Sequence, residues 1–180
     1  MFQYANDNNQ KYPDGNSSTE VFKKLVDQSY ITDPTIFYLA MPGKTKPVLG
    51  QKLKPENVSW DVTGGSPDAS SSDGLPIVFI TGYKITYAPG AAAIPLVKPY
   101  PRFGYEDRDR TWYDWLTGRP TIHYFHEGGI AVTYKSNSAM YRRLETPGPN
   151  GNGSIPNFIP PDFKPDGKIY RQLTPDGPLP

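Results

Sequence analysis

His123 and His126 are the only imidazoles in this 180-residue chain, which has no cysteine. Any thiol chemistry is excluded, and a general base or soft-metal site would have to be built on this pair. On a strand, two side chains three residues apart point to opposite faces, so the two histidines cannot easily share a metal. His126-Glu127 opens like a zinc-protease helix, yet the second histidine of that pattern would stand where the chain has Ile130, and Gly128-Gly129 weaken a helix there. Gly43-Lys44-Thr45 has the form of the end of a phosphate-binding loop, but the glycine required five residues earlier is Tyr38, and Pro47 interrupts the helix that would hold the phosphate. Without a Gly-x-Ser-x-Gly elbow, a hydrolytic triad has little support.

Carboxylates and aromatics remain. Asp107 or Asp109 could serve a hydrolase as an acid. Asp162, Asp166 and Asp176 could form a calcium cage with backbone carbonyls, but they lack the regular spacing of a helix-loop-helix calcium site. Turn formation accounts for them better, because Pro13-Asp14-Gly15, Pro165-Asp166-Gly167 and Pro175-Asp176-Gly177 repeat one turn triplet. Trp112, Tyr113 and Trp115 could stack on a sugar or peptide, as in an extracytoplasmic binding module, although core packing is the more frequent use of such a cluster. No catalytic, cofactor-binding or metal-ligating residue is assigned.

Composition narrows the elements that would position such groups. The chain has 19 basic and 18 acidic residues, a formal charge of +1, so no strong overall field points to nucleic acid or an anionic membrane. Arg108, Arg110, Arg142 and Arg143 stand beside Glu106, Asp107, Asp109 and Glu145 and read as solvated, ion-paired surface. No run approaches the roughly 20 apolar residues of a membrane span, and the first residues do not have the pattern of a signal peptide. Twenty-one Pro and 17 Gly suppress long helices, while 13 Tyr, 8 Phe and 3 Trp supply large buried areas and favour strands. The chain is expected to be loop-rich with short strands, and the helix and alternating runs that follow predict an α+β class.

Ser17-Ser18-Thr19-Glu20 matches a capping box and predicts a helix from Ser18 to Gln28, with Val21, Phe22, Leu25 and Val26 as its apolar stripe. Asp33-Pro34 predicts a loop feeding a short extended segment. Val58, Trp60 and Val62 alternate with Ser59 and Asp61, which predicts a half-buried strand with Trp60 on the inward register. The Gly/Ser/Asp run 64–74 reads as an exposed loop, and 77–87 as one long strand with a bulge or bend at Gly82. The proline-rich stretch after Ala91 reads as an extended crossing, and 110–120 as a helical or 3₁₀ turn.

Ile130, Val132 and Tyr134 predict one face of a hairpin that turns at Ser136-Asn137 and returns from Met140 to Leu144. Residues 1–145 form the head. Residues 146–180 form a Pro/Gly-rich arm on the same domain, anchored by Ile155, Phe158, Ile159, Phe163, Ile169, Tyr170 and Leu173; disorder of the last ten residues is the alternative.

At the N-terminus, Met1, Phe2 and Ala5 fall on one helical face, and no capping residue precedes them. Either a longer helix continued upstream or the first aromatics tuck into the core. Phe2-Gln3-Tyr4-Ala5-Asn6-Asp7-Asn8-Asn9 with Tyr12-Pro13 resembles the point in bacterial type IV pilin-like proteins, including type II secretion pseudopilins, where the long N-terminal helix meets the globular head. His126-Glu127-Gly128-Gly129-Ile130-Ala131-Val132-Thr133-Tyr134 is similar to the His-x-Gly-Gly strand near the end of many such proteins, with Ser136-Asn137 replacing the usual Asp-Gly turn.

The resemblance implies a non-enzymatic filament subunit, with a missing apolar helix that anchors the head to the inner membrane on the periplasmic side. Its implied partners are other pilin or pseudopilin subunits and the secretion machinery, with no nucleic acid and no cofactor. The isolated head is expected to be monomeric.

Overall fold

The computed structural model describes residues 1–96, 104–107, 121–124, 128–145 and 153–179, with 104–107 and 121–124 as backbone only. A five-stranded antiparallel sheet organises it, in the spatial order β8-β7-β2-β1-β9. Its members are β1 (Trp60–Gly64), β2 (Pro76–Ile80), β7 (Gly129–Tyr134), β8 (Ala139–Arg143) and β9 (Arg171–Leu173). Two short ribbons stand apart, β3 (Tyr83–Lys84) with β4 (Ile94–Pro95), and β5 (Gly104–Asp107) with β6 (Thr121–Tyr124). With α1 (Phe2–Asp7) and α2 (Ser18–Asp27), the class is α+β, as the alternating runs predicted.

Helix α2 forms where the capping residues place it. The Ser17 hydroxyl accepts from the Glu20 amide at 3.1 Å, but the Glu20 carboxylate reaches one residue past the expected partner, to the Asn16 amide at 2.9 Å. Val21, Phe22 and Leu25 are fully or almost fully buried and meet Val58, Val62 and Leu173 from the sheet. The helix start is also tied to the end of β9. The Ser18 amide donates to the Thr174 carbonyl at 2.9 Å, and the Thr19 hydroxyl to the Pro175 carbonyl at 2.8 Å. These bonds satisfy donors that a helix N-terminus leaves open.

Several expectations need correction. Asp33-Pro34 starts a 3₁₀ turn over Pro34–Phe37, because the Asp33 carboxylate caps the Thr35 amide at 2.9 Å. The 77–87 stretch is two strands: the chain bends at Gly82, φ +96°, and β3 leaves the main sheet. The strand around Trp60 has both faces covered, with Ser59, Asp61 and Thr63 wholly buried beside Val58 and Val62, while Trp60 is only partly buried. Simple alternation reads polarity as exposure, and it fails where a second layer covers the polar face.

That second layer comes from the tail. Ile155, Phe158, Ile159, Phe163 and Tyr170 pack with Phe79, Ile130, Val132 and Tyr134 on the face opposite α2. Phe79 and Phe158 meet edge to face with centroids 5.9 Å apart. Ile169, expected as an anchor, is 88% exposed. Beyond it the chain is ordered: β9 joins β1, with Leu173 opposite Val62 and Gln172 opposite Thr63. The 64–74 loop is not free either, because Ser71 is buried and its hydroxyl lies 2.8 Å from the Tyr170 hydroxyl, in hydrogen-bond contact.

The hairpin β7–β8 follows the expected register, with Thr133 opposite Ala139 and Asn137 in the left-handed region at φ +61°. Gly129 is required by close approach. A Cβ there would lie 2.5 Å from the Tyr141 hydroxyl oxygen and 2.6 Å from the Arg142 carbonyl oxygen. That space lets the Tyr141 hydroxyl donate to the Gly128 carbonyl at 2.9 Å and the Tyr83 hydroxyl to the Gly129 carbonyl at 3.0 Å.

Burial orders the cost of core truncation. Phe79→Ala removes a wholly buried ring and is expected to cost about 3–5 kcal/mol. The partly open Trp60, replaced by Ala, is expected to cost less than half as much. Urea unfolding of the two variants checks the order, which reverses if Trp60 is the true keystone.

Candidate functional site

Three features hold chemistry or unsatisfied surface: an apolar trough beside Met1, a buried carboxylate on β1, and a lysine clamp on the tail. The trough, about 450 Å³, is floored by Trp60, Val78, Thr133 and Ala139 from β1, β2, β7 and β8. Phe22 and Leu25 of α2 form one wall, and Met1 and Phe2 of α1 stand at its rim. It opens because α2 covers only the β1–β9 end of this face. Toward β8 the sheet presents small or partly exposed groups, and Ile36 beside it is 55% exposed. The lining is mostly apolar, with Thr133 and Asn137 as its polar side chains.

Asp61 sits on the other face, wholly buried. One of its oxygens accepts from the Gln172 amide nitrogen at 2.6 Å, and the other has no hydrogen-bond partner. Burial pushes the carboxyl up to about 7; the nearby Thr81 side chain, Gln172 and the Lys44 ammonium pull the other way, and Asp176 adds to the rise. Lys44 is lowered by its own burial. Its ammonium donates to the Pro55 carbonyl at 3.0 Å, so the Gly-Lys-Thr stretch holds a backbone carbonyl.

The C-terminal aspartates do not converge. Asp166 accepts from the Tyr170 hydroxyl at 2.8 and 3.0 Å, whereas Asp176 lies in the turn after β9 and acts on Asp61 and Lys44. Lys168 joins Asp166 at 3.3 Å to Asp68 at 2.5 Å and also donates to Ser70 at 3.0 Å and Ser71 at 3.2 Å. The Lys168 bond, helped by Ser70, holds the Asp68 carboxyl down to about 2. An ammonium thus sits between Asp166 and Asp68. Among the described residues, no group of three His, Cys, Asp or Glu side chains could hold a metal ion.

Sequence reasoning missed the trough, because Val78 lies inside the continuous apolar run 77–80, which reads as fully buried. The available signal was on β7, where Ala131 and Thr133, opposite in facing to Ile130 and Val132, are too small or polar for a covered face. Asp61 was read as solvent-facing, a consequence of the same alternation rule. The side chains of Asp107 and His123, and all of Asp109, Trp112, Tyr113, Trp115, His126 and Glu127, lie outside the described residues. No helix among the described residues is long and apolar enough to cross a membrane.

Asp61 makes stability depend on pH with a definite sign. The folded chain holds its proton more tightly than the unfolded chain, whose value is near that of free aspartate. The neutral form's contribution is complete below about pH 4, falls as pH rises toward 7, and is gone above it. The shift corresponds to about 4 kcal/mol. Asp61→Asn is expected to match the parent near pH 4 and to melt higher at pH 8. Parallel melting curves at the two pH values would show that the carboxylate is solvated.

No protein-family model matches the sequence, and no curated protein or solved structure matches it.

Proposed function

We propose that this chain is the head of a pilin-like filament subunit, non-enzymatic and held in the cell envelope by a helix that continues α1 upstream. The observation that carries the proposal is the trough. It crosses four strands of an antiparallel sheet, is apolar along its floor, and has the first turn of α1 at its rim. A helix running upstream from Phe2 with an apolar face would cover Trp60, Val78 and Ala139, and would supply the layer that α2 supplies only at the β1–β9 end.

The tight Gly128-Gly129 start of β7 and the β7–β8 hairpin agree with the resembling His-x-Gly-Gly strand. The near-neutral charge lets copies pack without strong repulsion. Other subunits of the same filament and the export machinery are the partners this reading implies.

The coding sequence upstream of Met1 tests the proposal. An apolar stretch of about 20 residues behind a short basic leader is the expected result. A cleavable signal peptide joined directly to this head would overturn it in favour of an extracytoplasmic binding module. Without the helix, the chain is expected to sediment as a monomer at micromolar concentration, since cohesion in this reading resides in the helix. A stable, salt-resistant dimer would contradict that.

A further inference from the structure

Residues 41–54 carry Lys44, Lys46, Lys52 and Lys54 and no carboxylate, a local excess that the near-neutral total conceals. The neck of this loop is fixed. The Thr45 amide donates to the Glu56 carbonyl at 2.8 Å, the Asn57 side-chain amide donates to the Thr45 carbonyl at 3.0 Å, and Pro47 and Leu53 are buried. At the tip, the Gln51 amide donates to the Val48 carbonyl at 3.1 Å and closes a turn around Gly50, whose φ of +80° is the left-handed value such a turn requires of its third residue. The turn holds two aliphatic side chains in water: Val48 is 57% exposed and Leu49 71%.

Cations surround this tip. Lys46 and Lys52 are exposed and in no ion pair among the described residues, although Lys46 lies near enough to Asp33 to lower its carboxyl slightly, after that group's own bonds to Thr35. Lys54 is 3.9 Å from Glu56 in a solvated pair. Across a groove of about 470 Å³ lies Lys23 of α2, paired with Asp27 at 3.5 Å. Only Lys44 is turned inward. The charge facing outward from the tip itself is therefore positive.

We propose that this loop docks on an anionic bilayer surface, with Val48 and Leu49 entering the headgroup layer and Lys46, Lys52 and Lys54 lying against lipid phosphates. Two exposed aliphatic side chains with the exposed Lys46 and Lys52 beside them in sequence fit an interface that is anionic outside and apolar just beneath. A protein partner of matching chemistry would need an acidic-rimmed pocket to receive the same tip. The inference does not rest on the filament reading, because it uses neither the trough nor any upstream helix.

Flotation of the chain with vesicles tests it. Association is expected with vesicles of mixed phosphatidylglycerol and phosphatidylcholine, to fall with added salt, and to be at least tenfold weaker with phosphatidylcholine alone. The double variants Val48→Ser/Leu49→Ser and Lys46→Gln/Lys52→Gln are each expected to weaken it about tenfold. Both should melt with the parent, since the four side chains are exposed. Ile169→Ser, at an equally exposed apolar site elsewhere, is expected to leave association unchanged. Failure of the parent chain to float with anionic vesicles, or equal flotation of both loop variants and the parent, would overturn the proposal.

Discussion

One side-chain amide, that of Gln172, joins three parts of the chain that are far apart in sequence. Its nitrogen donates to the Asp61 carboxylate of β1 and to the Tyr83 carbonyl of β3, both at 2.6 Å, and its oxygen accepts from the Ile85 amide at 3.0 Å. It is 4% exposed. A buried amide with all these bonds made is stabilising, while the same groups left unpaired would each cost about 1–3 kcal/mol. The register of β9 on β1 is therefore specified by polar satisfaction as well as by the packing of Leu173 against Val62.

Much follows from that docking. With β9 in place, the end of the chain caps the start of α2 through the Thr174 and Pro175 carbonyls. Residues 153–170 are then held against the far face of the sheet, where Phe158 and Ile159 are wholly buried. The Lys168 clamp to Asp68 and Asp166 fastens the same segment to the 64–74 loop. Asp61 bears the cost, since the tail that completes the core also removes water from a carboxylate that keeps one oxygen without a partner. Because α2 covers only the β1–β9 end of its face, the other end of that face stays open as the trough.

The functional reading rests on how surfaces are distributed. Two buried or half-buried polar clusters stand out among the described residues: Gln172 with Asp61, and Lys168 with Asp68, Asp166, Ser70 and Ser71. Among the apolar surface left exposed by the described residues are the trough at Met1 and the turn at Val48-Leu49. Such surface is the usual mark of assembly or of an interface with a second phase.

Local chemistry made some of this legible without coordinates. Ser17 and Glu20 bracket α2 because capping depends on residues three apart; the hairpin of β7 and β8 follows from alternation and from Asn137 at its turn; Gly82 marks a bend. The α+β class was legible from the capped helix and the alternating runs, and the loop-rich character from proline and glycine content. Other features depended on partners 40 to 110 residues away. Whether Asp61 faced water or core and whether 171–173 was a frayed end or a strand turned on where the tail docked; Ser59 turned on its bonds to Leu39, and Val78 on how far α2 reaches across the opposite face. Alternation reports that two faces differ, and burial reports what lies over each. The first is a property of neighbours in sequence; the second arises only when Gln172 meets Asp61 across the folded sheet.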